Sequence, residues 1–378
     1  MKSFLQKAAL LLGSSLLVLA GIELMVRLLG NDTAISGNQY VFYHFDPVLG
    51  WNNTPGATGT YSRVEFSHPI QNNRLGMRDA EISPKAPGEI RVAVLGDSFI
   101  WGIGAAYGER FTEVMENREP TLNVLNFGVS GYGTVQESLL LDTVLEQQPD
   151  FVVVAFCLGN DLLDNVYPFR YSYHKPTASL NANGHAIVST APLRESKQFG
   201  GTIAGAASRL RLVGIVRLAL RRHAEKARIR EQGGTTKFAV EDPDLYLPDT
   251  IATPEVQQQR REAMDVAVAL LCDMNAKVTA ALGPGRFVVL FVPTKFETGT
   301  AREAKAGSKP NLVGDELRSR LSAGGVMVID GRAVIGPDDF WARDGHWNRK
   351  GHEKIATLVT AELKRMLAVA TGDVRKQL

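Results

Sequence analysis

The chain has 378 residues and a mass of 41.2 kDa, long enough for one large or two ordinary domains around a sizeable core. Hydrophobic residues at 44% and charged residues at 22% exclude global disorder, and a net charge of +2 excludes a nucleic-acid binder driven by bulk charge. Two cysteines, Cys157 and Cys272, exclude a disulfide scaffold and a cysteine-based zinc site, and both read as buried free thiols.

Lys2 and Lys7 precede an apolar run from Ala8 to Val26. Its length suits a membrane-spanning helix, which needs roughly 17–25 residues, and exceeds a signal-peptide core of roughly 7–15. Glu23 and Arg27, four apart, share a helical face and can pair near the interface. Residues 1–30 are therefore expected to form an uncleaved transmembrane anchor. A signal peptide cut near Val18-Leu19-Ala20 and a buried helix are the other readings. The two lysines favour a cytoplasmic N-terminus. The expected location is thus the inner (cytoplasmic) membrane, single-pass, with the rest of the chain periplasmic.

Residues 31–88 form a polar, Gly- and Pro-rich lead-in with turns at Asp46-Pro47 and Thr54-Pro55-Gly56. Its aromatic residues Tyr40, Phe42, Tyr43, Phe45 and Trp51 suggest that it packs on the following domain. That domain is placed at 89–370. Five apolar runs without polar alternation, at 91–98, 123–129, 151–159, 286–294 and 326–332, suit parallel strands covered on both faces. Helical patterns fill 108–118, 134–147, 255–282 and 311–322, and a last helix follows Asn348 as N-cap. The expected fold class is α/β: a three-layer, doubly wound, flavodoxin-like parallel sheet of five strands. A large insertion at 165–250 separates strands three and four. Within it, residues 208–231 carry eight Lys or Arg and two Glu opposite an apolar face of Leu210, Val213, Val216, Leu220 and Ala224. That pattern reads as a solvated basic surface helix or as one that lies on an anionic membrane or polymer.

Ligands of such sheets bind beyond the carboxyl ends of the strands. Three ends are chemically loaded: Gly96-Asp97-Ser98, the block Asn126 to Gly133, and Gly159-Asn160-Asp161. A fourth block, Asp344-Gly345-His346-Trp347-Asn348, precedes the last helix. Taken together in this order, the blocks resemble the SGNH (GDSL-type) hydrolase superfamily over about residues 88–370, the insertion excepted. Leu49-Gly50-Trp51 and Asn73-Arg74-Leu75-Gly76-Met77-Arg78 also look like the lead-in of membrane-anchored bacterial members.

The resemblance implies a Ser-His-Asp triad. Ser98 would be the nucleophile, His346 the base that takes its proton, and Asp344 the group that orients the imidazole. It further implies an oxyanion hole of the Ser98 and Gly131 backbone amides and the Asn160 side chain. His352 competes with His346, but no carboxylate precedes it at the right spacing. Ser98 could otherwise cap a helix, Asp97 would support the turn, and Trp101 and Trp347 could line the pocket or fill the core. The Asp-x-His block departs from the usual Asp-x-x-His and looks closer to proteins of alginate O-acetylation.

The expected activity is ester hydrolysis, removing O-acyl groups from a cell-envelope or exported polysaccharide. The alternatives are an O-acetyltransferase using the same triad and a non-catalytic polysaccharide-binding subunit. No cofactor, metal or nucleic-acid partner is implied.

Overall fold

The computed structural model describes residues 2–29, 35–36, 42–171, 173–189, 191–195, 212, 216, 243–298 and 307–371. Helix α1 (Lys2–Leu29) forms over the N-terminal apolar run and leaves Leu10, Leu11, Leu12, Leu16, Leu17, Val18 and Leu19 at least half exposed. Among the described residues no helix is long and apolar enough to cross a membrane, so the fold itself does not establish the spanning role expected of this run. Glu23 accepts a hydrogen bond from the backbone amide of Leu212 at 2.9 Å. The side chain of Arg27, its expected partner, lies outside the described residues, as does the basic helix of 208–231 apart from Leu212 and Val216.

The lead-in is not an irregular segment. It folds into two antiparallel hairpins, β1 (Tyr43–Asp46) with β2 (Gly50–Asn53) and β3 (Thr58–Ser62) with β4 (Ser67–Gln71). Their aromatic residues Phe42, Tyr43, Trp51, Tyr61 and Phe66 bury against Trp101 and Tyr132 of the following domain.

That domain begins with β5 (Ile90–Gly96) and continues through α2 (Phe111–Arg118), β6 (Leu122–Gly128), α3 (Thr134–Glu146) and β7 (Phe151–Cys157). After the insertion come α4 (Pro254–Leu282), β8 (Phe287–Val292), α5 (Leu312–Ala323), β9 (Met327–Asp330) and α6 (Arg349–Thr371). The sheet runs β9-β8-β7-β5-β6 with all pairs parallel, the expected five-stranded, doubly wound order. Alternate strand residues face opposite sides. Leu95, Phe127, Val154 and Phe291 pack beneath α3, α4 and α5, while Val94, Val124, Ala155 and Leu290 pack beneath α2 and α6. Both faces are covered, which is why the strands carry no polar alternation.

Two helix starts are capped by side chains, the second by the expected residue. Thr253 caps α4, with Pro254 in its first turn, and Asn348 accepts from the amides of Lys350 (2.9 Å) and Gly351 (3.3 Å) at the start of α6. The insertion contributes two small hairpins, Phe169–Arg170 with Tyr173–His174 and Ala178–Leu180 with Ala186–Val188. Both cysteines are free thiols; Cys157 is buried, whereas Cys272 is only half-buried, less covered than expected.

Candidate active site

Strands β5 and β6 end in register, Gly96 opposite Gly128, so the turns that follow them lie side by side. At Gly96 the chain folds straight back into a one-turn helix, Ser98–Trp101. A Cβ on Gly96 would sit 2.2 Å from Ile100 Cγ1, so only glycine allows the helix this close to the strand. Asp97 caps the turn, accepting from the amide of Phe99 at 2.9 Å. Ser98 is therefore the first helical residue rather than the cap, and its hydroxyl is left for other work.

That hydroxyl lies 2.7 Å from His346 Nε2, and His346 Nδ1 lies 2.5 Å from Asp344 Oδ1. With Nδ1–H donating to the carboxylate, Nε2 is the acceptor of the serine proton. Asp344 Oδ1 also accepts the backbone amide of His346 at 3.1 Å, which fixes the short Asp-x-His loop. Phe99 packs on the imidazole with ring centroids 4.9 Å apart. His346 and Asp344 are 17% and 13% exposed, so the chain of hydrogen bonds is sheltered yet reachable. Burial works to raise the Asp344 carboxyl, but the charge and hydrogen bond of His346, with Arg63 beyond, outweigh it and hold it below the usual range.

His352 is elsewhere. It is fully buried, its Nδ1 accepts from the amide of Phe111 at 3.3 Å, and its ring stacks on Phe111. Burial and the nearby Arg110 and Arg78 push its pKa down to about 3, so it stays neutral and cannot serve the serine. Trp101 and Trp347 are also fully buried, which makes them core rather than pocket lining.

The residues expected to supply oxyanion donors sit on neighbouring loops: Asn160 Nδ2 lies 3.5 Å from Asp97 Oδ2, beside Ser98, and 3.4 Å from the hydroxyl of Tyr171, whose ring lies against Gly131. Gly131 has φ +81, a left-handed conformation open to glycine, and Trp51 and Tyr171 press on the side where a Cβ would stand. Among the described residues the backbone amides of Ser98 and Gly131 donate to no protein acceptor. Asn160 differs. Its side-chain nitrogen lies 2.9 Å from Asp164 Oδ2, 3.2 Å from Asp161 Oδ1 and 3.5 Å from Asp97 Oδ2. Burial raises the carboxyls around it: Asp97 to about 6, and Asp161 well above its ordinary value.

Several residues that hold this site went unread in the sequence. Glu65, in the β3–β4 turn, accepts the backbone amides of Arg343 and Asp344, both at 2.8 Å, and so anchors the Asp-x-His loop. Arg78 donates to the carbonyls of Trp101 (3.0 Å), Gly102 (2.7 Å) and Ala105 (2.8 Å) at the far end of the Ser98 helix. Trp51 and Asn53 donate to the carbonyls of Ser130 and Gly128, pinning the Gly131 loop. Asn126 donates to Ile100 O at 2.7 Å. Arg78 and Trp51 lay inside stretches singled out by resemblance, and Asn126 inside the loaded block at the second strand end, though none was given this holding role; Glu65, Asn53 and Tyr171 carried no signal.

A family model described as "GDSL-like Lipase/Acylhydrolase family" matches residues 94–354. No curated protein matches. Similar solved structures include a carbohydrate acetylesterase family member from Sinorhizobium meliloti at 15% identity, covering 74% of this chain and 100% of that one with a TM-score of 0.36. Another is TesA, at 13% identity, 73% and 99% coverage and a TM-score of 0.38. A third is a GDSL-like lipase from Bacteroides thetaiotaomicron at 11% identity, 75% and 92% coverage and a TM-score of 0.37.

Proposed function

Because this chain belongs to the GDSL-like lipase/acylhydrolase family, we propose that it is a serine ester hydrolase working through Ser98, His346 and Asp344. The observation that carries this reading is the unbroken hydrogen-bond chain of 2.7 Å and 2.5 Å from hydroxyl to carboxylate. Ser98 Oγ attacks the acyl carbon as its proton passes to His346 Nε2. The carbonyl oxygen takes the negative charge and is met by the amides of Ser98, Gly131 and Asn160. Collapse expels the alcohol, which leaves with the proton from His346. Water then repeats the sequence on the acyl-serine and releases the acid. Asp344 holds the imidazole in the right tautomer and offsets its charge while it is protonated.

The substrate we favour is an O-acyl group, such as acetyl, on a cell-envelope or exported polysaccharide. Tyr167, Phe169 and Tyr171 lie on one inserted segment beside Asn160, each more than a third exposed. Partly exposed aromatic side chains at this edge suit contact with the flat C–H faces of sugar rings. The full chain should release acetate from an O-acetylated glycan as well as from p-nitrophenyl acetate, measured by coupled acetate assay. A folded protein that releases acetate from neither would reject the reading. The Asp-x-His spacing favours a second one, transfer of the acyl group to a sugar hydroxyl instead of water. Mass spectrometry of an added oligosaccharide separates the two, since only transfer adds acyl mass to the acceptor.

The same reading places the chain at the inner membrane through α1, with the hydrolase domain on the periplasmic side. Its leucines at successive positions point all round the helix, at about 100° per residue, so no single protein groove covers them. The full chain is expected in the membrane fraction after alkaline carbonate washing, with its C-terminus open to protease outside the cytoplasm. Recovery in the wash would overturn the attachment.

A further inference from the structure

We infer that Asp164 and Tyr171, the second carried by the inserted hairpin, are positioning residues that aim the Asn160 amide at the reacting carbonyl oxygen. This rests on the oxyanion role proposed for Asn160. An amide nitrogen offers two hydrogens. One is held by Asp164 Oδ2 at 2.9 Å. The other is shared among longer contacts, 3.2 Å to Asp161, 3.4 Å to the Tyr171 hydroxyl and 3.5 Å to Asp97, and is the one a substrate oxygen can claim by displacing them.

Asp164 can hold the first hydrogen because it is itself held. It is fully buried, Arg170 Nε donates to its Oδ1 at 2.9 Å, and Lys175 Nζ lies 3.6 Å from the same oxygen. Tyr171 donates its hydroxyl to Oδ2 at 2.8 Å, on the oxygen that Asn160 uses. The Tyr171 hydroxyl oxygen is 3.4 Å from the Asn160 nitrogen, and its ring lies against Gly131. Tyr171 also has φ +53, a left-handed backbone that a bulky residue adopts only when its surroundings hold it there. The two cations serve a further purpose. The Asp164 carboxylate stands beside a group that must welcome negative charge, and Arg170 with Lys175, both on its Oδ1, offsets that charge. Without the Tyr171 hydroxyl, Oδ2 loses a donor that fixes its orientation. Asn160 then loses a fixed partner and can turn from the substrate.

The test is a double-mutant cycle on the full chain, with p-nitrophenyl acetate and thermal unfolding measured on every variant. Tyr171→Phe keeps the ring and removes the hydroxyl. It should lower kcat about tenfold with KM unchanged. Asn160→Ala should lower kcat by about 10²–10³. In the Asn160→Ala background, Tyr171→Phe should cost nothing more. Asp164→Asn, which keeps the shape but puts a donor where an acceptor stood, should behave as Tyr171→Phe does and more severely. A tenfold loss from Tyr171→Phe in both backgrounds would overturn the positioning role while leaving the oxyanion assignment in place. So would a change in KM alone, or an unchanged kcat. Full activity in Asn160→Ala would overturn both.

Discussion

Ser98→Ala is expected to lower kcat by about 10⁴–10⁶-fold while the protein stays folded. The change removes one oxygen from the first position of a one-turn helix whose cap is Asp97 and whose far end is held by Arg78. The bond it breaks is the one to His346, and alanine is at home in a helix. Stability should move by less than about 1 kcal/mol, within the range of changes that touch no core contact. Asp344→Asn should cost about 10⁴ for a different reason. An amide there can present a donor to Nδ1, which favours the imidazole with its proton on Nε2, where it cannot accept from the serine. The measurements are steady-state kinetics and circular dichroism on the same samples. Ser98→Ala with activity within tenfold of the parent would remove the serine from the chemistry.

Arg78→Ala should be strongly destabilising, by about 3–5 kcal/mol. Arg78 is 1% exposed and its guanidinium is the partner of three buried carbonyls; it also lies over the ring of Trp101 at 4.9 Å. Hydrogen bonds from a charged group contribute about 1.5–3 kcal/mol each, and carbonyls left bare in the interior cost more. One effect runs the other way. Arg110 is equally buried and donates to the carbonyl of Arg78, so two cations lie close together. Burial first, and then the Arg110 charge, bring the Arg78 pKa down to about 9. Deleting Arg78 relieves that repulsion, but Glu113 already offsets Arg110 through two hydrogen bonds, so the relief is smaller than the loss. Arg78→Lys should recover only part of the stability, because one ammonium cannot reach the three carbonyls as a planar fork does. Urea unfolding checks both. A loss under about 1 kcal/mol for Arg78→Ala would mean the carbonyls find other partners.

What the sequence displayed and what it hid differ by the range of the interaction. The five apolar runs are local patterns, and each became a strand at the expected place. The blocks at their ends then had to lie on one edge of the sheet, because parallel strands share a direction. Asn348 as a cap, and Asp344 two residues before His346, were readable for the same reason. The short strands of 43–71 were not, since four- or five-residue antiparallel strands built on aromatic packing show little alternation. Glu65 makes its contact with the amide of Asp344 across 279 residues, and no spacing rule reaches that far. Tyr171 was hidden twice. It sits in an insertion without strong periodicity, and its backbone is one that residue preferences argue against.

The sequence separations of 248 from Ser98 to His346 and of 279 from Glu65 to Asp344 bear on when the protein can first act. A ribosome has released Ser98, its turn and the proposed oxyanion donors long before it makes His346. A nascent or truncated chain thus carries an inert serine. Pairings so distant in sequence also close late in folding, after the loops between them have been ordered. Turnover therefore reports on completion of the molecule from residue 65 to residue 346, a delay written into chain order.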